Sequence, residues 1–167
     1  MQDKQIINTK TIARLATVQA LYAIDISTSS SSAQAVITDI ANHYTKEHNY
    51  AGDSEEENNI FLSYNKGFFL KLTEESIKHV EKNNKIILEY LKDPYNLDNT
   101  NLLLLSILRV GLTEMIYITE TPIKVVINEF TNIASSFLGE NDVAFINALL
   151  DNHAKLIQKD RELANAL

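Results

Sequence analysis

Hydrophobic positions recur along this chain at intervals of three and four residues, the spacing that gathers side chains on one face of an α-helix. In the first such segment Ile12, Leu15, Ala16, Tyr22, Ala23 and Ile26 share a face, while Lys10, Arg14 and Thr17 fall opposite, toward solvent. The serine run from Ser27 to Ser32 ends it, and Ser32 is placed to cap a second helix with the stripe Val36, Ile37, Ile40, Ala41 and Tyr44. In "AGDSEEENNI", Ser54 and Glu57 fit a capping box, and Glu55 to Glu57 complement a helix dipole. That start predicts a third helix with Ile60, Phe61, Tyr64, Phe68, Phe69 and Leu72 inward. Helical periodicity then continues through "EESIKHVEKNNKIILEYL", with a break near Asn83 and Asn84, until Pro94 stops it.

Asp98 or Asn99 can cap the next helix, "TNLLLLSILRVGLTEMIY", which is apolar almost all round. Its narrow polar stripe of Ser106, Arg109 and Thr113 marks a central helix with neighbours on most sides. Thr121 and Pro122 supply an N-cap and a first-position proline for a helix whose inward face is Ile123, Val126, Ile127, Phe130, Ala134 and Phe137. After Gly139 a last helix, from about Asp142 to Gln158, carries Ile146, Leu149, Leu150, Leu156 and Ile157 into the core. The expectation is an all-α bundle of six or seven helices with no β-strand of appreciable length. It forms one domain over residues 1–160, made of two small sub-bundles at about 1–80 and 81–160 and hinged near residues 80 to 100, with residues 161–167 as a C-terminal tail.

Composition narrows the function classes. The 167 residues carry a net charge of −7, so any grip on nucleic acid must be local or assisted by a partner. Four scattered glycines form no phosphate-binding loop, and four histidines without ligand spacing offer no metal site. Cysteine is absent, which points to a reducing compartment. No apolar run is long enough to span a bilayer and no signal peptide is evident, so a cytoplasmic protein without membrane contact is expected. No cofactor is implied.

Asn128 and Glu129 interrupt the apolar run "TPIKVVINEF", yet an Asn and a Glu without a nucleophile, metal or second carboxylate make no catalytic set. They read as structural and the chain as no enzyme. Asn128 and Asn147, on the last two helices, would satisfy buried groups between them, and Glu129 would pair with Arg109. Gln19, in the middle of the Ile12, Leu15 and Tyr22 face, would bond a loop backbone from inside the core.

Three stretches go further. "ATVQALYAIDIS" (16–27), "LRVGLTEM" (108–115) and "TPIKVVINEFTNIASSFLGENDVAFINALLD" (121–151) match, in order and spacing, the first helix, central helix and closing pair of the NusB family of bacterial transcription antitermination factors, which the chain therefore resembles. The resemblance implies an RNA-binding helical protein. Such a protein pairs with NusE, a small-subunit ribosomal protein, captures the boxA element of nascent ribosomal RNA, and joins other Nus factors on RNA polymerase. It also implies an RNA face at Lys10, Arg14, Asn141 and Phe145, the phenylalanine stacking on an exposed base. Two departures weaken the electrostatic grip: Thr11 and Ile12 stand where the family is often basic, and Val143 and Ala144 replace a basic pair. A module of this kind also fronts some RNA cytosine methyltransferases, but this chain leaves no room for their catalytic domain. A stand-alone factor is expected, the alternative being a helical protein-interaction adaptor with little RNA binding of its own.

Overall fold

A computed structural model describes residues 8–27, 32–46, 64–92 and 95–166. The described residues form seven α-helices and no strand: α1 (Thr9–Ile26), α2 (Ala33–Lys46), α3 (Lys66–Lys78), α4 (Val80–Tyr90), α5 (Leu102–Tyr117), α6 (Ile123–Phe137) and α7 (Glu140–Asn165). The expected capping box at Ser54, with Ile60 and Phe61, and the stop at Pro94 lie outside the described residues. The chain divides into two compact units, one up to Thr73 and one from Glu74 onward.

In the first unit α1 packs on α2. Asn8 starts α1 by accepting the Lys10 amide at 2.9 Å, and Ser32 starts α2 by accepting the Ala35 amide at 3.3 Å. Burial on α1 extends well round the helix, over Ile12, Ala13, Arg14, Ala16, Thr17, Val18, Ala20 and Leu21. Arg14 and Thr17, expected in solvent, are therefore inside. Thr17 is accommodated because its hydroxyl donates to the Ala13 carbonyl (3.0 Å) and accepts from the Thr73 hydroxyl (3.1 Å). Tyr22 and Ile26, expected inward, are exposed at the far end of the helix. Gln19 is also exposed. It lies two residues, about 200° of helical turn, from buried Thr17 and Leu21, and it accepts a 2.7 Å hydrogen bond from the Tyr44 hydroxyl rather than serving a loop backbone. Tyr44, Tyr64 and Phe69 form a chain of ring contacts, with Tyr64 also donating to the Ala41 carbonyl at 3.1 Å.

The second unit is organised by α5, which is buried without interruption from Leu104 to Met115 and contacts α4, α6 and α7. Asn101, rather than Asp98 or Asn99, caps it by accepting the Leu103 and Leu104 amides at 2.9 and 3.3 Å. Asn99 is occupied in the preceding turn, where it and Asn96 exchange backbone-to-side-chain bonds. The polar stripe of α5 is satisfied within the bundle: Ser106 and Thr113 donate back to the Leu102 and Arg109 carbonyls. The predicted break at Asn83 and Asn84 falls instead at His79, between α3 and α4. Both asparagines stay helical because α5 uses their side chains: Asn83 donates to the Arg109 carbonyl (3.1 Å) and the Thr113 hydroxyl (2.8 Å), and Asn84 accepts from Arg109 Nε at 2.8 Å.

Pro122, not Thr121, is the N-cap of α6; its extended backbone turns its carbonyl to the Val125 and Val126 amides. Val126, Phe130, Ile133 and Ala134 form the buried face of α6, whereas Phe137, its last residue, is 55% exposed. Asn128 is exposed as well, about 200° round from Val126 and Phe130, so it does not serve buried groups. Asn147 does link α6 to α7, but by accepting from the Thr131 hydroxyl at 3.3 Å, near the surface. At 1.5 Å per residue α7 outruns α6 by roughly 16 Å. Ala154 is thus its last buried residue, and Leu156, expected inside, is exposed, as is Leu163. The helix continues past Gln158 through Asn165, over residues that are mostly strong helix formers.

Candidate nucleic-acid interface

The cationic start of α1 is held by the start of α3. Asn65 donates its backbone amide to the Thr9 carbonyl at 3.1 Å while its side chain caps α3 by accepting the Phe68 amide at 2.9 Å. That double role brings the Phe68 ring beneath the first turns of α1. Lys10 Nζ lies 5.0 Å from the ring centroid and the Arg14 guanidinium carbon 5.3 Å from it. Both distances fit cation–π attraction to a single ring. Lys10 is partly exposed and can reach a phosphate. Arg14 is only 2% exposed, so its guanidinium is not open to direct contact from solvent.

The second unit holds the other two expected residues. Asn141 is exposed in the first turn of α7, between Glu140 and Asp142, with Gly139 as N-cap. Phe145 is half-buried, one turn further on, at the edge of a cleft of about 500 Å³. Tyr90, Tyr95, Asn99, Lys92 and Asp142 also line that cleft. Its aromatic walls suit a flat ring, and among the described residues Lys92 is the cation that lines it. Burial, helped by the Glu89 carboxylate, pushes the Tyr90 phenol above its ordinary pKa. Phe68 and the cleft were missed by reading the sequence. The aromatic pair in "SYNKGFF" signals core packing, and nothing in its spacing says that one ring lies under cations of another helix.

The remaining polar residues sort differently. Arg109 is 7% exposed and held by Asn84; Glu129 is half-buried on α6. Glu114 is fully buried on α5, a carboxylate inside the bundle that the hydrophobic pattern concealed. Among the described residues no group of His, Asp and Glu could hold a metal ion, and no helix is long and apolar enough to cross a membrane.

A protein whose described residues are all-helical, with a cationic α1 start in one unit and an aromatic cleft at α7 in the other, belongs to the class of small helical bundles. The NusB family model matches residues 11–155, and the chain belongs to the NusB family. It is 33% identical over 149 residues to the transcription antitermination protein NusB of Rickettsia massiliae (strain Mtu5), covering 89% of this chain and 93% of that one. Against the protein of the same description from Rickettsia felis it is 30% identical over 158 residues, covering 95% and 97%. Among solved structures, NusB of T. maritima superposes with a TM-score of 0.66 at 20% identity, over 87% of this chain and 89% of that one. A chain in the crystal structure of antitermination factors NusB and NusE in complex with dsRNA gives 0.67 at 17% identity, over 87% and 96%. Those two likenesses establish the shared fold.

Proposed function

We propose that this chain is a transcription antitermination factor that binds boxA-type RNA of nascent ribosomal transcripts together with NusE, and with it joins other Nus factors on RNA polymerase. The observation that carries the reading is similarity running nearly end to end with antitermination proteins of similar length. Lys10 supplies the phosphate contact from the first unit. Phe145 offers a stacking face and Asn141 hydrogen-bonding capacity from the second. On this reading the chain acts by binding and works in the bacterial cytoplasm, where transcripts emerge. Binding of a boxA-type single strand by the NusE complex, and loss of at least tenfold in affinity for a scrambled strand, is the expected result in a titration. Equal affinity for both strands would favour the adaptor reading.

A further inference from the structure

Lys10 and Arg14 are four residues apart on α1, a spacing at which like charges repel across one helical turn. Both nevertheless lie over the one Phe68 ring, at 5.0 and 5.3 Å from its centroid. Phe68 itself is 8% exposed and anchored at its backbone by the Asn65 cap, so the ring cannot swing away to follow a long side chain. The rigid partner in this arrangement is the ring, and the flexible ones are the cations. An unrestrained lysine head wanders among many rotamers and loses that freedom when it binds a phosphate. A lysine already resting over an aromatic face has lost part of it beforehand.

We propose that Phe68 is a positioning residue for the RNA interface: its ring fixes the Lys10 ammonium beside the first turn of α1, so that phosphate affinity depends on the electron density of the ring and not only on its bulk. The inference rests on the RNA-binding reading above and adds to it a residue that does not itself touch the nucleic acid. Because the negative ring face is what attracts the ammonium, fluorine atoms that withdraw electron density weaken the hold while leaving shape and packing nearly unchanged.

The test uses the full chain with phenylalanine, monofluoro-, difluoro- and trifluorophenylalanine at position 68, alone and bound to NusE. In the free protein the ε-methylene protons of Lys10 should show an upfield ring-current shift that shrinks along the series, while any fall in melting temperature, which reports the weakened Arg14 contact, should be the same in the Lys10→Ala background. In the complex, affinity for a boxA-type strand should fall stepwise with fluorination, by about fivefold in all, and the steps should vanish in a Lys10→Ala background. Unshifted Lys10 protons, or an affinity indifferent to fluorination while the unmodified complex binds RNA, would overturn the positioning role. If the unmodified complex fails to bind RNA while the Lys10 shift still tracks fluorination, the RNA reading falls and the ring's hold on Lys10 stands as a structural contact alone. Phe68→Leu, which removes the ring altogether, should reproduce the loss of the trifluoro variant; full affinity in that variant would also overturn the proposal.

Discussion

Arg14 and Lys10 carry the same charge on the same helix face but belong to different energetic classes. Arg14→Ala removes a nearly fully buried side chain whose guanidinium lies over Phe68, so a loss of about 2 kcal/mol in unfolding free energy is expected. Lys10→Ala, at a partly exposed position, should change stability by less than about 0.5 kcal/mol while weakening RNA binding. Chemical denaturation of the two variants, read alongside RNA titration, separates the roles. Asn128→Ala serves as the reference: exposed on α6, it should leave stability within about 0.5 kcal/mol of the parent. The sequence could not distinguish these three residues. A cation or amide at helical spacing looks the same whether the opposite surface is water or a neighbouring ring, and only the second helix decides.

At the scale of elements the sequence was far more legible, because a helix advertises its own period. The all-α class, the stripe of α2 and the burial of α5 on every side follow directly from hydrophobic spacing. Termini were harder: Asn99 and Asn101 are both competent caps, and the choice was made by the Asn96–Asn99 turn, which consumes one of them. Helix length also misleads, since the period of α7 continues beyond the reach of α6 and turns Leu156 outward. Gly111 shows what a central helix demands. A Cβ there would sit 3.3 Å from the Phe130 ring and 3.4 Å from Leu150, both fully buried, so α5 approaches its neighbours as closely as a bare backbone allows. Gly111→Val should therefore lower stability by about 1–3 kcal/mol through overpacking, despite valine being the better helix former. A thermal melt at or above the parent's would show that α6 and α7 can yield.

For the whole molecule, charge is the governing quantity. Against 22 acidic residues the chain has 15 Lys and Arg, and one of those expected to face RNA is buried. The free protein should thus show a shallow salt dependence of RNA affinity, a log–log slope of about −1, or one to two phosphates at roughly −0.7 each. Addition of NusE should steepen the slope and raise the affinity. A slope near −4 for the free chain, measured by fluorescence anisotropy between low and moderate salt, would mean that the chain alone neutralises several phosphates. Function was legible at this scale through the order of three motifs along the chain, whereas the cationic site was only half legible, because the resemblance supplies positions and not their exposure.

The two asparagines of α4 bear on how this sequence avoids wrong answers. A helix as uniformly apolar as α5 has little to choose between one rotation about its own axis and another, since almost any face satisfies a greasy neighbour. The Asn83 amide reaches the Arg109 carbonyl and the Thr113 hydroxyl, and Asn84 takes the Arg109 side chain, so only one rotation and one register satisfy all of them. Any slipped arrangement would take the Asn83 amide nitrogen from its two acceptors and the Arg109 guanidinium from Asn84. Those bonds therefore act chiefly by raising the energy of decoy packings, and they give a helix of otherwise interchangeable faces a single place to settle.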